Sequence, residues 1–163
     1  MSFDEKLKEL REKESLISKL KSEIVDTSAG LFDEFREHIF LKYPKLNSFG
    51  WTQYTPYFND GDACLFYANT DYLMINDEYA EDSAWFSKIK IISWGQWNQN
   101  LKVYEGRVEE PNTQFDEDLV NAYDDIASFL GNFGNDFYLT KFGDHAEITV
   151  TKLGIDISDY DHD

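Results

Sequence analysis

The chain has 163 residues, 42% of them hydrophobic and 17% aromatic, which suits one domain with a buried core and argues against a disordered acidic chain. A single cysteine excludes a disulfide framework within the monomer, and a net charge of −17 disfavours direct binding to nucleic acid or anionic lipid. The charged opening segment and the lack of an apolar run of about 20 residues predict no signal peptide and no membrane span. We therefore expect a cytoplasmic protein.

Residues 1–25 are predicted to form a helix of their own, an extension to the rest of the chain. Its apolar residues recur at spacings of three and four, a pattern that also occurs in coiled coils, although Glu14 and Lys21 interrupt it. The pattern predicts either self-association into a homo-oligomer through residues 3–24 or packing on the body. The apolar positions are Phe3, Leu7, Leu10, Ile17 and Ile24.

Residues 26–163 are predicted to form a single α+β domain. Asp26, Thr27 and Ser28 are candidate N-caps for a second helix that ends at Pro44. Beyond it, Asp60-Gly61 between aromatic segments predicts a β-hairpin. Cys64 alternates with Phe66 and Ala68, which predicts a small core residue and not a nucleophile.

The rest of the domain combines strands with one clear helix. The apolar stripe from Leu119 to Leu130 predicts a helix that packs on a sheet, and Gly131 ends it. The whole pattern predicts a mostly antiparallel sheet covered by helices, with the N-terminal helical extension. The remaining predicted strands are 72–75, 88–94 and 101–104, the last two joined by a turn at 95–100, followed by 136–142, 146–152 and 155–158.

Two late groups of aspartate and histidine are candidate metal ligands. Asp144 and His145 lie at a predicted turn, and Asp161 and His162 lie near the end of the sequence. Histidines and carboxylates that converge hold divalent ions such as Zn²⁺, but neither group has the spacing that fixes two ligands on one rigid element. The sequence therefore leaves open whether these residues bind a divalent metal, and we expect no other cofactor.

Binding residues are predicted at two places. Tyr54, Tyr57 and Phe58 exceed what a short edge strand can bury, so we expect some of these rings to meet a partner. Residues 109–163 contain 14 acidic and 2 basic residues. Among those acids, Asp124, Asp125 and Asp144 are candidate contacts for a basic protein surface.

The segment WTQYTPYFNDGD (residues 51–62), the GDH of residues 143–145 and the closing YDHD resemble a group of uncharacterised bacterial and phage proteins. The resemblance covers the body from residue 49 onward and implies a prokaryotic or phage origin. It implies no activity.

Composition and motifs together predict a small non-enzymatic binding protein. The first hypothesis is an inhibitor or immunity-type protein that engages a basic protein surface, with a DNA mimic as its sharper form. The alternative is a metal-dependent hydrolase that uses His145, His162 and the neighbouring aspartates.

Overall fold

The computed structural model describes residues 2–58 and 60–162 and shows an α+β protein, which confirms the predicted class. The helices are α1 (Phe3–Lys42), α2 (Glu117–Leu130) and α3 (Asn135–Phe142). The strands are β1 (Ser48–Tyr54), β2 (Tyr67–Ala68), β3 (Met74–Ile75), β4 (Glu78–Tyr79), β5 (Ile89–Ser93), β6 (Gln96–Asn98), β7 (Val103–Glu105), β8 (Val108–Pro111), β9 (Ala146–Thr151) and β10 (Ile155–Asp159).

The main sheet is antiparallel, with the order β10-β9-β1-β3-β4. β1 is its central strand, because it pairs with β9 along one side and with both β2 and β3 along the other. Trp51 of β1 lies opposite Ile148 of β9. The alternation predicted for residues 146–152 is confirmed, since the even-numbered residues of β9 are buried and the odd-numbered ones are partly exposed.

One face of this sheet packs against the helices and forms the core. The ring of Phe32, on α1, meets Trp51 edge-on with the ring centroids 6.2 Å apart, and it also contacts Phe137 and Phe142 of α3. Phe32 and Trp51 have no exposed surface. Aromatic rings therefore pack directly between the helical layer and the sheet.

α1 is one continuous helix of 40 residues, so the helix start predicted at residues 26–28 is wrong. The helix begins after Ser2, whose hydroxyl accepts a hydrogen bond from the Glu5 amide while the Glu5 carboxylate accepts one from the Ser2 amide. Ser28, predicted as a cap, is buried against the body instead. α1 thus passes without a break through the predicted boundary at residue 25.

Residues 136–142, predicted as a strand, lie in α3. The many aromatic residues favoured a strand from the sequence, but Phe137, Tyr138 and Phe142 have the spacing of one helical face and all three are buried. Packing of these three rings against Phe32 and Trp51 therefore favours a helix over the predicted strand.

β1 and β2 pair antiparallel on either side of the predicted turn, but a long loop, described at residues 55–58 and 60–66, separates them in place of a two-residue turn at Asp60-Gly61. Asp60 and Gly61 still form a local turn, with φ of +26° and +93°. Cys64 lies in this loop and is exposed, so the prediction of a core cysteine is wrong. Outside a strand, its alternation with Phe66 carries no information about burial.

β5 to β8 form a two-stranded arm that is exposed along most of its length. β5 pairs with β8 and β6 with β7, so the arm turns at residues 99–102 and not at the predicted 95–100. Gly95 lies within the arm at φ +75°, where a Cβ would approach the carbonyl oxygen of Glu105 to 1.9 Å. The glycine is therefore needed for close strand approach, not for the turn.

Candidate interaction surfaces

The two late Asp/His groups meet at one end of the main sheet. The backbone amide of Tyr160 donates to the carbonyl oxygen of His145 at 2.8 Å, which extends the pairing of β10 with β9 and brings the last residues alongside. As a result, Nδ1 of His145 lies 3.0 Å from Nε2 of His162. We call these two residues the histidine pair.

Two tyrosines cover the histidine pair, Tyr54 at the end of β1 and Tyr57 in the segment that follows it. The Tyr57 ring stacks on His145 and on His162, with centroid distances of 4.8 and 4.6 Å, and the centroid of Tyr54 lies 3.8 Å from that of His162. Phe58, also predicted as a binding residue, is 78% exposed. The structure therefore brings Tyr54 and Tyr57 to the histidines and leaves Phe58 at the surface.

Asp144 holds the turn before β9. Its carboxylate accepts hydrogen bonds from the amide and hydroxyl of Thr55, both at 2.7 Å, and from the amide of His145 at 2.8 Å. Burial alone would raise the pKa of Asp144, but these hydrogen bonds outweigh it and lower the pKa below its usual value. The carboxylate is thus engaged by the backbone turn, and its Oδ2 is 3.8 Å from Nε2 of His145.

The buried side-chain amide of Gln53 also holds the turn before β9 in place. Its Oε1 accepts from the indole of Trp51 at 3.0 Å, and its Nε2 donates to the carbonyl oxygens of Tyr138 and Gly143. This side chain has no exposed surface. It therefore joins β1 to α3 and to the residue that precedes Asp144.

Of the four predicted metal ligands, the structure joins His145 and His162 directly. Asp144 approaches only the far nitrogen of His145, and Asp161 is exposed. Within residues 2–58 and 60–162, no group of three or more His, Cys, Asp or Glu side chains is arranged to hold a metal ion. Of the predicted ligand atoms, the described residues therefore bring only two imidazole nitrogens together.

A second surface is acidic and lies where α2 meets the segment around β4. The Tyr123 hydroxyl donates to Oε1 of Glu81 at 3.1 Å, and Asp71 and Asp124 lie close enough to act on the same phenol. Asp82, beside Glu81, accepts a hydrogen bond from a second tyrosine hydroxyl. We call Asp71, Glu81, Asp82 and Asp124 the acidic patch.

Two tyrosines that donate hydrogen bonds to the acidic patch, Tyr72 and Tyr123, have a raised pKa. Burial raises the pKa of Tyr123 to about 12, and the hydrogen bond to Glu81 and the nearby carboxylates act in the same direction. The hydrogen bond to Asp82 raises the pKa of Tyr72 to about 12, followed by burial and by the charge of that carboxylate. Tyr123 therefore resists ionisation mainly because its phenol is buried, and Tyr72 mainly because its hydroxyl donates to a carboxylate.

Two other acids, Asp125 within α2 and Asp116 at its N-cap, are paired with lysines. Asp125 lies 2.8 Å from Nζ of Lys42 and also accepts from the Tyr43 hydroxyl at 2.7 Å, and the hydrogen bond from Lys42 lowers the pKa of Asp125. Asp116, the N-cap of α2, pairs with Lys45 at 2.8 Å. Of the predicted contacts on α2, Asp124 belongs to the acidic patch and Asp125 serves to tie α2 to α1.

The sequence did not single out Glu81, Asp82, Tyr72 or Tyr123 as site residues. Tyr123 belongs to the apolar stripe of α2, and Glu81 and Asp82 lie between the predicted strands 72–75 and 88–94. These segments are about 40 residues apart, and no local pattern indicates that they meet.

Comparisons with protein-family models, curated proteins and solved structures found no match for this chain. In the described part of the chain, no helix combines the length and apolar content needed to cross a membrane.

Proposed function

We propose that the protein is a non-enzymatic binding protein whose acidic patch engages a basic surface of a partner protein. The observation that supports this proposal is the lack of neutralisation. Among the ion pairs of residues 2–58 and 60–162, none includes Asp71, Glu81, Asp82 or Asp124. An unpaired group of like charges attracts an oppositely charged partner and speeds its encounter.

The acidic patch is also held in place before any partner arrives. Asp124 is on α2, and Glu81 and Asp82 are on a short 3₁₀ turn anchored by the fully buried Ala80. Hydrogen bonds from tyrosine hydroxyls further fix Glu81 and Asp82. Such preorganisation lowers the entropy lost on binding.

An inhibitor or immunity-type protein of bacterial or phage origin, acting in the cytoplasm, is the form of this proposal that we favour. A DNA mimic is its sharper version, in which the carboxylates stand in for phosphates on a protein that binds nucleic acid. Charge of the same sign as phosphate supports that version, and the single cysteine fits a reducing compartment.

Capture from a bacterial lysate with charge-matched baits tests the proposal. The patch variant carries Asp71→Asn, Glu81→Gln, Asp82→Asn and Asp124→Asn. The control variant neutralises four exposed acids elsewhere, so both baits have the same net charge. The control substitutions are Asp33→Asn, Glu110→Gln, Asp156→Asn and Asp159→Asn.

We expect the wild type and the control variant to retain the same partner and the patch variant to lose it. We also expect about 0.5 M salt to release the partner, because the Debye length then falls to a few Å. Equal retention by the patch variant, or a partner that stays bound at high salt, would contradict the proposal.

We also propose that two copies of the chain associate through the exposed part of α1, as the sequence predicts for residues 3–24. The side chains of Phe3, Leu10, Ile17 and Ile24 are each at least half exposed, which leaves an apolar stripe without a partner in the monomer. Burial of such a stripe is the main source of stability in paired helices.

A metal-dependent hydrolase is the second candidate, favoured by the histidine pair. Two imidazole nitrogens 3.0 Å apart can share a divalent ion in place of a proton. Elemental analysis of protein purified without an affinity tag tests this candidate. Stoichiometric metal that is lost in a folded His145→Ala variant would support it, and its absence from the wild type loaded with Zn²⁺ and then dialysed would remove it.

A further inference from the structure

The apolar stripe on α1 follows a heptad pattern. Positions 3, 7, 10, 14, 17, 21, 24 and 28 alternate in steps of four and three, and we call this line the seam. Phe3, Ile17 and Ile24 are 78%, 54% and 62% exposed. Glu14 and Lys21 are the charged residues in the middle of the seam.

The seam ends in a cleft where α1 joins the body. Lys21, Ile24 and Ser28 line one side of this cleft, and Phe133 and Phe137 line the other, around a volume of about 260 Å³. From Ser28 onward one face of α1 is buried against the body, through Ser28, Phe32, Ile39 and Phe40. The free part of the seam therefore has a fixed length, from Phe3 to Ser28, of ~39 Å at 1.5 Å per residue.

We propose that a second copy of the chain lies antiparallel along the seam, with residue i opposite residue 31 − i of the other copy. This inference rests on the proposed self-association. It adds the direction of the two helices, their register and a binding position for Phe3 in the cleft of the other copy. The register places Leu7 opposite Ile24, and Phe3 of each copy opposite Ser28 of the other. Phe3 thereby enters the apolar cleft between α1 and the segment before α3.

The charges within the seam favour the antiparallel direction. A parallel pair in register places Glu14 against Glu14 and Lys21 against Lys21, which sets like charges together in an apolar contact. The antiparallel register places Glu14 opposite Ile17, about one helical turn from Lys21 of the other copy. Opposite charges are then neighbours across the interface.

The charge of the bodies favours the same direction. Residues 1–25 contain six acidic and six basic residues, so the net charge of −17 belongs to the rest of the chain. A parallel pair holds both bodies at one end of the helices. An antiparallel pair separates them by the length of the seam, about four times the Debye length of ~10 Å at 0.1 M salt.

Disulfide cross-linking tests the register. Leu7→Cys and Ile24→Cys are made separately on a Cys64→Ser background, because Cys64 is exposed. Each variant is oxidised alone and after equilibration with the other. We expect a disulfide-linked dimer in the mixture and none in either variant alone.

Cross-linking of either variant with itself would show a parallel pair and overturn the proposal, and so would a mixture that fails to cross-link. Light scattering on the wild type separates this failure from that of self-association. A dimer without the expected cross-link overturns only the direction and register. A monomer from micromolar to millimolar concentration overturns both.

The binding position of Phe3 is tested by a matched pair of variants. Phe3→Ala removes the side chain that enters the cleft, whereas Leu41→Ala removes an equally exposed apolar side chain of α1 away from the seam. We expect Phe3→Ala to raise the dimer dissociation constant about tenfold or more and Leu41→Ala to leave it unchanged. Equal effects of the two substitutions would contradict the placement of Phe3 in the cleft of the other copy.

Discussion

His145 and His162 are 17 residues apart in the sequence, yet Nδ1 of the first lies 3.0 Å from Nε2 of the second. At that distance one nitrogen carries the proton and the other accepts it. The contact, together with stacking by Tyr57 on both rings, joins the last described residues to the start of β9. The histidine pair therefore holds residues 160–162 against the start of β9.

Loss of His162 is expected to weaken the attachment of residues 160–162 to β9 without unfolding the domain. In His162→Ala, the Tyr160 amide, which donates to the His145 carbonyl, should exchange its hydrogen about tenfold faster or more, because local opening costs less free energy. His38→Ala, an exposed histidine on α1, is the control and should leave that exchange unchanged. Equal exchange in the two variants would show that the histidine contact does not hold residues 160–162 against β9.

Ionisation of Tyr72 and Tyr123, the two tyrosines that donate to the acidic patch, should be visible at alkaline pH. The folded pKa of Tyr123 is raised from 10 to about 12, so the free energy that this shift adds to folding is fully present below pH 10. It is lost as the pH rises toward 12, because the unfolded phenol ionises first. Absorbance titration should show a late step that Tyr123→Phe reduces.

Glu81→Gln is the matched control for this titration, since it keeps the phenol and removes the adjacent charge. The Tyr123 step should then move toward pH 10. A late step that is unchanged in Glu81→Gln would mean that the carboxylate does not act on Tyr123.

Asp144 should stabilise the turn that carries His145. Asp144→Ala removes three hydrogen bonds from Thr55 and His145 and is expected to lower the free energy of unfolding by about 1–2 kcal/mol at pH 7. Because the folded pKa of Asp144 is lowered, this contribution is present above pH 4 and is lost as the pH falls through the folded pKa. Urea unfolding at pH 7 and at pH 3 measures both.

The control for Asp144 is Asp156→Ala, an exposed acid on β10, which should change the free energy of unfolding by less than about 0.5 kcal/mol. A difference between wild type and Asp144→Ala that is as large at pH 3 as at pH 7 would contradict the assigned role of the carboxylate.

Phe32 should be among the residues on which the fold depends most. It has no exposed surface and contacts both the sheet and α3, so Phe32→Ala is expected to cost about 3–5 kcal/mol. Phe58→Ala removes the same side chain from a 78% exposed position and should cost less than about 0.5 kcal/mol. Similar unfolding midpoints for the two variants would contradict the described core.

The sequence predicted elements well where a local period decides the structure. The alternation in β9 and the stripe of α2 appear in the structure because one face of each meets the core. Local patterns predicted the wrong secondary structure where packing against distant residues determines it. Residues 136–142 are rich in β-favouring aromatics, yet their contacts with Phe32 and Trp51 require a helix.

The candidate surfaces were predictable only in part. Tyr54, Tyr57 and the two histidines drew attention as residue types, and the structure shows that they meet. The acidic patch joins Glu81 to Tyr123 and Asp124 over about 40 residues, and one sequence contains no signal for such a contact. Conversely, Asp125 looks like Asp124 in the sequence, but Lys42 neutralises it.

Zero-length cross-linking of the captured complex is the most direct measurement of how the protein binds. A carbodiimide joins a carboxylate to a lysine amine that touches it, and mass spectrometry then identifies both residues. The acidic patch predicts links from partner lysines to Asp71, Glu81, Asp82 and Asp124. Links confined to other acids, such as Asp33, Glu110, Asp156 and Asp159, would contradict binding through the acidic patch.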